Sequence, residues 1–148
     1  MTITRADVEK VLVNRVGKKM AIVSFDVTSD GENADLNEPI CDALLKMGAT
    51  PASIAAVADS DLAIVENEYI QEFLDRAELR LLQNIAGNID FVDVSVGPRR
   101  DSLNQLATQT EAAISRLTTK IEKLYGGGCA PLSTGVIGLD FQEDYPEE

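Results

Sequence analysis

Apolar residues in the second half of the chain recur with the period of an α-helix. Over residues 66–86 they recur at steps of three and four, which predicts one long amphipathic helix. Over residues 98–125 they recur at nearly 3.5 residues, which predicts a second long helix with a coiled-coil-like seam. The seam positions of this second helix are Leu103, Leu106, Thr110, Ala113, Ile114, Leu117, Ile121 and Leu124.

Glycine and proline set the ends of these two helices. Gly87 and Asn88 are expected to close the first, and Pro98 suits the first turn of the second. With a rise of 1.5 Å per residue, the second helix would be about 40 Å long. A small domain does not cover that length alone, so either the first long helix packs along part of it or another subunit does. Residues 89–96 alternate apolar and polar, which predicts a short strand or an extended connector.

Charged residues on the first long helix add one further prediction. Glu72 and Arg76 have the spacing of an attractive pair, and we expect them on the side of the helix that faces solvent.

A shorter helix is predicted near the start of the chain. Thr4 followed by Asp7 resembles a capping box, so the helix should begin there and run to about Val16, with Gly17 as its stop. Residues 20–27 form a short β-branched run that fits either a strand or a buried irregular segment.

Another short helix follows a polar loop. Asn37 is expected to cap it, Pro39 to lie in its first turn and Gly48 to end it. Cys41 falls on its apolar side and is interpreted as a small buried hydrophobic residue. Together the elements predict a mainly all-α fold, a helical bundle with two long antiparallel helices, a short extended segment and a flexible C-terminal tail.

Composition limits the classes of function. The chain has 148 residues, no His, no Trp and a formal net charge of -12 at pH 7. A length of this order fits one domain with its own core. Because imidazole is the usual general base near neutral pH and the commonest metal ligand, its absence argues against an enzyme. The acidic charge argues against general binding of nucleic acid, which needs a basic surface to replace phosphate counterions.

The N-terminus and the cysteines bear on location and cofactors. Residues 1–7 lack the apolar core of a secretory signal, and no stretch is long and apolar enough to cross a membrane. Cys41 and Cys129 are far apart without paired-ligand spacing, so neither a disulfide framework nor a zinc site is predicted. We expect a soluble, cytosolic product with no cofactor and no contact with a membrane.

A glycine joint and an acidic tail follow the second long helix. Residues 126–128 are all glycine, which divides the chain into a helical domain, residues 1–125, and a tail, residues 126–148. So short a tail does not fold alone, so it is either disordered or ordered on a partner. Its apolar positions are Leu132, Val136, Ile137, Leu139, Phe141 and Tyr145.

Several short blocks of the sequence resemble the head-completion, or adaptor, proteins of tailed bacteriophages. The blocks are residues 36–40, 59–62, 77–80, 87–90, 95–99 and 103–107, the last of which opens the heptad helix that ends at Tyr125-Gly126. Together they span roughly residues 36–126. Residues 1–35 and the tail contain no matching block.

The resemblance implies a helical subunit that assembles into a ring, usually of twelve copies, docked on the portal protein of the virion. Such a ring lies in the neck at the head–tail interface and extends the channel through which DNA passes without specific binding. It presents a surface to the next neck or tail protein, and before assembly its subunits are in the host cytoplasm. Members of this family commonly send a C-terminal segment against the portal, which implies portal contact for the six apolar tail residues named above.

Contacts between neighbouring copies are expected on the second long helix. A cyclic assembly joins two different patches of the subunit. Arginines at the start of a helix are unfavourable with respect to its dipole and would gain from an acidic neighbour. Residues 24–72 offer one, since they contain a single base, Lys46, among eleven acidic residues. The predicted contacts are Arg99, Arg100, Leu117, Ile121 and Leu124.

Two other functions remain open from the sequence. A generic homo-oligomeric interaction or chaperone module explains the long helices equally well but gives no role to the glycine joint and tail. A carboxylate-dependent metal-binding protein would use Asp26, Asp30 and Asp35, in a loop that half-matches a calcium-binding loop. The twelfth position of that loop is Asn37 rather than a bidentate glutamate. We therefore predict an assembly protein, with no catalytic and no metal-binding residues.

Overall fold

The computed structural model describes residues 2–89 and 98–126, and in the last helix it describes side chains from Leu103 onward. Five α-helices lie within these residues. The helices are α1 (Arg5–Ile22), α2 (Ala34–Lys46), α3 (Asp59–Leu62), α4 (Ile70–Ile89) and α5 (Pro98–Tyr125). A 3-10 turn, Asn67–Tyr69, leads into α4. No strand occurs within these residues, and the prediction of an all-α fold is confirmed.

α4 is the central helix and packs against α1, α2 and α5. Asp75, near the start of α4, contacts Lys120 and Tyr125, near the end of α5, so the two long helices run antiparallel as predicted. Because neighbours surround α4, its buried apolar side chains come from several of its faces. They are Phe73, Leu74, Ala77, Leu81, Leu82, Ile85 and Ile89.

α1 begins where the capping box predicts but continues past its predicted end. The Thr4 hydroxyl accepts a hydrogen bond from the Asp7 N–H at 3.2 Å, and the Asp7 carboxylate accepts one from the Thr4 N–H at 3.1 Å. The predicted stop at Gly17 is wrong, because the helix runs to Ile22. Met20, in the additional turn, is fully buried. Its burial, at about 1.5–3 kcal/mol, exceeds the roughly 1 kcal/mol that a glycine costs inside a helix.

α2 begins earlier than predicted. Asn33, rather than Asn37, is its N-cap, and the side-chain oxygen of Asn33 accepts a hydrogen bond from the Asp35 N–H at 3.0 Å. Pro39 therefore lies inside the helix rather than in its first turn. The choice between the two asparagines depends on the loop before α2: Asn33 is buried, and its side chain also donates to the Asp26 carbonyl at 2.7 Å. The sequence pattern gives no indication of this contact, so it could not distinguish Asn33 from Asn37 as the N-cap.

α4 differs from its prediction at both ends and on one face. It begins at Ile70, after the 3-10 turn, rather than at residue 66. It runs through Gly87 to Ile89, so the predicted stop at Gly87-Asn88 is wrong; Ile89 packs into the core. The expectation that Glu72 and Arg76 face solvent is also wrong. Both are buried and form an ion pair, with Arg76 Nε donating to Glu72 Oε1 at 2.9 Å. The reason is the central position of α4, which leaves little of its first half in contact with solvent.

Two predicted segments lie outside the described residues. The extended segment expected at residues 89–96 falls there from residue 90 onward, and so does the tail from residue 127. α5 ends where predicted, since Gly126, at φ +75°, has the left-handed conformation that favours glycine after a helix. The division into a helical domain of residues 1–125 and a separate tail stays a prediction.

Candidate functional site

The seam of α5 faces the rest of the chain along most of its described length. Leu106, Thr110 and Ile121 are buried. Other seam members are only partly buried and still pack against the core. These are Leu103, Ala113, Ile114 and Leu117. The apolar seam that predicts a packing partner is therefore covered mainly by α4 of the same chain. Its edges remain partly exposed.

α5 is longer than the helix that supports it. Its 28 residues span about 42 Å, against about 30 Å for the 20 residues of α4. α4 therefore does not cover α5 from end to end. About 12 Å of α5 lies beside other parts of the chain, solvent or another molecule.

The predicted contacts between copies lie at different depths on α5. Leu124 is 63% exposed, Leu117 is partly buried, and Ile121 is buried within its own chain. The side chains of Arg99 and Arg100 lie outside the described residues. Within the predicted set, the apolar side chain that the structure leaves most accessible to a neighbour is Leu124. The assignment of these residues to a ring contact stays a prediction.

Asp75 joins three helices through one carboxylate. Its Oδ1 accepts hydrogen bonds from Arg15 of α1 at 3.1 Å and from Gln71 at 2.9 Å. Its Oδ2 accepts a hydrogen bond from the Tyr125 hydroxyl and contacts the Lys120 ammonium, both at 3.0 Å. Asp75 is 1% exposed, so these donors replace the water that a carboxylate otherwise requires. We call this group the Asp75 cluster; it holds the end of α5 against α1 and α4.

The Asp75 cluster changes the acidity of Tyr125. Burial is the main cause that raises the pKa of Tyr125 to about 12, and the hydrogen bond to Asp75 is the next. Ionised Tyr125 would lose solvation and would place a second negative charge beside the Asp75 carboxylate. Tyr125 therefore remains a neutral hydrogen-bond donor at physiological pH.

A second buried ionic network ties two loops to α1. Arg5 donates from Nε to Glu9 at 2.9 Å and from Nη2 to the Asn33 carbonyl at 2.8 Å. Its Nη1 donates to the Val57 carbonyl at 2.9 Å and to the side-chain oxygen of Asn37 at 3.0 Å. These acceptors come from α1, from the start of α2 and from the irregular segment before α3. One side chain thus sets the relative positions of three parts of the chain.

Glu9 completes this network from the other side. It is 0% exposed, and its two carboxylate oxygens accept hydrogen bonds from the N–H groups of Gly31 at 2.7 Å and Asn33 at 3.1 Å. Gly31 has φ +94°, which an L-residue rarely adopts. Sequence reasoning missed this network. The available signal was the i, i+4 spacing of Arg5 and Glu9, which also occurs on helix faces exposed to solvent and so does not indicate burial.

The loop that half-matches a calcium site uses its carboxylates within the loop. Asp26 accepts hydrogen bonds from the N–H and the hydroxyl of Thr28, at 2.9 and 3.0 Å. Asp30 accepts one from the Glu32 N–H at 3.0 Å, and Asp35 accepts one from the Asp26 N–H at 2.7 Å. Across the part of the chain that the structure describes, no group of three or more His, Cys, Asp or Glu side chains is placed to hold a metal ion.

Cys41 lies on the apolar side of α2 as interpreted from the sequence. It is buried and not in a disulfide. Burial raises the pKa of its thiol, and the nearby negative charges of Asp42 and Glu38 raise it further. A thiol of this kind is a poor nucleophile, because the thiolate is the reactive form.

The tail residues predicted to contact a portal all lie outside the described residues. They are Leu132, Val136, Ile137, Leu139, Phe141 and Tyr145. What the structure does place is the point from which the tail departs, at Gly126 beside the Asp75 cluster.

Comparison of the chain with protein-family models, with curated proteins and with solved structures gave no significant match. Among the described helices, none combines the length and apolar character required to span a membrane. The interpretation of function therefore depends on the sequence blocks and on the geometry of α5 and its surroundings.

Proposed function

We propose that this chain is a structural virion protein, an adaptor subunit that forms a ring below the portal, extends the DNA channel and joins the head to the neck or tail. In this proposal the subunit has no catalytic role and works in the neck of the virion after assembly from the host cytoplasm. Its partners are the portal protein, neighbouring copies of itself and the next neck or tail protein. DNA passes through the ring without specific binding.

The length of α5 is the observation that carries the proposal. α5 exceeds α4 by eight residues, taken from the 28 and 20 residues of the two helices. Partly exposed apolar residues follow its seam, and Leu124 near its end is 63% exposed. A helix of this kind offers a neighbouring copy an apolar strip that its own domain does not fully cover. The resemblance of residues 36–126 to phage adaptors supports a ring as the form of that association.

The two buried networks support a structural role. Arg5 with Glu9, and Asp75 with its donors, hold loops and helix ends at defined positions. Each charged group is engaged by other groups of the fold, so the networks supply rigidity. A ring subunit needs such rigidity, because small errors in subunit angle accumulate around a closed ring.

The net charge is compatible with a DNA channel. Each subunit has a formal charge of -12, and an acidic lumen would repel phosphates rather than bind them. Repulsion would let DNA slide through the lumen without sticking.

Sizing experiments test the proposal. The purified chain is analysed by size-exclusion chromatography with light scattering, alone and after mixing with portal assemblies from the same source. We expect stoichiometric attachment to the portal and a ring of density below it in electron micrographs. A chain that forms defined oligomers alone but never binds the portal would favour the generic interaction module instead.

Removal of the tail tests which part attaches the ring. Deletion of residues 127–148 keeps the glycine that ends α5, so we expect nearly unchanged helical circular dichroism and solubility but no portal attachment. The full-length double variant Ile137→Ser with Phe141→Ser should lose attachment in the same way. Leu124→Ser serves as the control, because we expect it to weaken contacts between copies without abolishing the attachment of single subunits. Normal docking of the truncated chain would show that the tail is assigned wrongly.

A further inference from the structure

An apolar groove lies between the N-terminal parts of α1 and α4. Its volume is about 320 Å³. Its apolar lining is formed by buried Ile3, Val8 and Leu74 and partly buried Val11 and Ile70, and its polar lining residues are Thr2 and Asp7. This volume is at the lower end of the range for ligand sites, about 300–1,000 Å³, so it suits a few apolar side chains of a short peptide rather than a whole helix.

The end of α5 lies close to this groove. Leu74 immediately precedes Asp75, which accepts a hydrogen bond from the Tyr125 hydroxyl at 3.0 Å. Val11 lies about one helical turn before Arg15, which donates to the same carboxylate at 3.1 Å. Two of the groove's lining residues therefore adjoin the cluster that holds the end of α5. The tail leaves the helix at this point.

The tail is long enough to reach the groove and contains side chains that suit it. Ten residues lead from Gly126 to Val136, which allows an extended span of up to about 33 Å. Residues 136–141 then contain four apolar side chains, Val136, Ile137, Leu139 and Phe141. Glycine at residue 138 leaves the backbone free to follow a curved surface.

The charges of the two partners are also complementary. Residues 140–148 contain five acidic residues and no basic one. α1 carries Lys10 and Lys18 along the stretch that includes the groove residue Val11, whereas Arg15 on the same stretch is already paired with Asp75 and Glu78. The pKa of the groove residue Asp7 is lowered, mainly by its hydrogen bonds with Thr4 and to a smaller extent by the positive charge of Lys10. Lys10 is therefore close to the groove. An apolar segment followed by acidic residues therefore matches an apolar groove beside a basic helix.

We propose that this groove binds residues 136–141 of the same chain, so that the free subunit carries its tail folded back on α1 and α4. The apolar tail residues are then shielded until a partner removes them from the groove. This inference depends on the groove, the end of α5 and the tail composition; it does not depend on the proposed function, and its test requires no portal.

The absence of tryptophan from the chain provides a direct probe. In the full-length protein, Phe141→Trp introduces the single tryptophan and keeps the side chain aromatic and apolar. With the tail in the groove, its emission should be blue-shifted relative to free tryptophan in water. Quenching by acrylamide should be several-fold weaker than in the unfolded chain. Both properties should be independent of protein concentration.

Groove variants separate this site from the rest of the surface. In the Phe141→Trp background, Val11→Glu places a charge in the groove and should shift the emission to the red and restore full quenching. Leu45→Glu is the matched control, since Leu45 is a 48% exposed apolar residue of α2 outside the groove. We expect it to leave the tryptophan signal unchanged.

Two outcomes overturn the inference. A tryptophan that is fully quenched in the free protein shows that the groove does not hold the tail. A tryptophan that becomes protected only as concentration rises shows that the segment binds another copy.

If Val11→Glu fails to fold, disulfide trapping provides a second test of whether the tail lies in the groove. In a Cys129→Ser chain, Val11→Cys and Ile137→Cys should form a disulfide within the monomer under mild oxidation. Oxidation that gives only dimers, or no disulfide, contradicts the proposal.

Discussion

Arg5 and Glu9 show how single buried charges are accommodated in this protein. The guanidinium donates to Glu9 and to acceptors on two loops, and the carboxylate accepts from two backbone N–H groups as well. A buried ion pair adds little stability compared with an apolar replacement of both partners, but removal of one partner leaves the other charge uncompensated. These two residues are therefore sensitive to change although neither belongs to the apolar core.

Substitution of Arg5 tests whether Glu9 depends on its buried ion pair. We expect Arg5→Met to lower the free energy of unfolding by about 3–5 kcal/mol, because Glu9 then remains buried without its cation. Arg80→Met is the matched control; Arg80 pairs with Glu38 at 2.7 Å on the surface and should cost less than about 1 kcal/mol. Urea unfolding followed by circular dichroism measures both. Equal losses in the two variants would contradict a special role for the buried pair.

Thr110 is the opposite case, a buried polar group whose hydroxyl has no hydrogen-bond partner among the described residues. Replacement of the hydroxyl by a methyl group of similar shape removes the desolvation penalty. We expect Thr110→Val to raise the free energy of unfolding by about 1 kcal/mol, measured by urea unfolding.

Thr118→Val is the control for this prediction. The Thr118 hydroxyl donates to the Ile114 carbonyl at 2.8 Å, so its removal should bring no gain. A loss of stability in Thr110→Val would mean that the Thr110 hydroxyl does have a partner.

At the scale of whole elements, helix ends depend on different forces. The start of α1 and the end of α5 are set by local chemistry, a capping box at Thr4 and a left-handed glycine at Gly126. The end of α1 and the start of α2 are instead set by packing, through the burial of Met20 and the contacts of Asn33. The Asp75 cluster then fixes α5 against α1 and α4.

The pH dependence of stability tests the contact between α5 and α4. The pKa of Tyr125 is raised from 10.0 to about 12, so between these values the unfolded chain has released a proton that the folded chain retains. Stability must therefore fall as pH rises through this window, and the contribution of Tyr125 is fully present below it.

Tyr125→Phe should weaken that fall. Urea unfolding of the variant and the original chain at about pH 9 and about pH 11 measures the difference, and ionisation of other residues cancels in the comparison. Near neutral pH the variant should lose about 1 kcal/mol, the value of one hydrogen bond. Identical pH dependence in the two proteins would show that Tyr125 is not held by Asp75 in solution.

At the scale of the whole molecule, the central position of α4 determines which surfaces remain available to partners. α1, α2 and α5 pack against it, so the apolar side chains of α4 are buried in the core. The exposed edge of the α5 seam, with Leu124, and the groove beside α1 are left at the surface. These are the two places where the proposed ring contact and the proposed tail contact lie.

A calcium titration tests the alternative class of function. The carboxylates of Asp26, Asp30 and Asp35 already accept hydrogen bonds within their own loop. Calcium would have to displace these donors, so we expect no change in melting temperature over a titration into the millimolar range. The measurement is thermal unfolding by circular dichroism, with magnesium as the parallel control. A clear stabilisation by calcium alone would favour the metal-binding alternative.

Much of the fold was predictable because it depends on short-range patterns. The all-α class, the start of α1, the span of α5 and the burial of Cys41 all follow from apolar period, caps and glycine or proline signals within a turn or two. The candidate site was predictable only in part. Ile121 and Leu124 both belong to the predicted seam, yet one is buried and the other is 63% exposed.

The sequence by itself determined that there are two long helices, their approximate positions and their apolar seams, because helical period is a property of neighbouring residues. Only the tertiary structure decided which positions those seams bury. It placed Glu72 and Arg76 inside the bundle, carried α1 past Gly17, and brought Arg5 to its loops. Burial depends on segments distant in the chain, and a local pattern contains no information about which of them will pack against it.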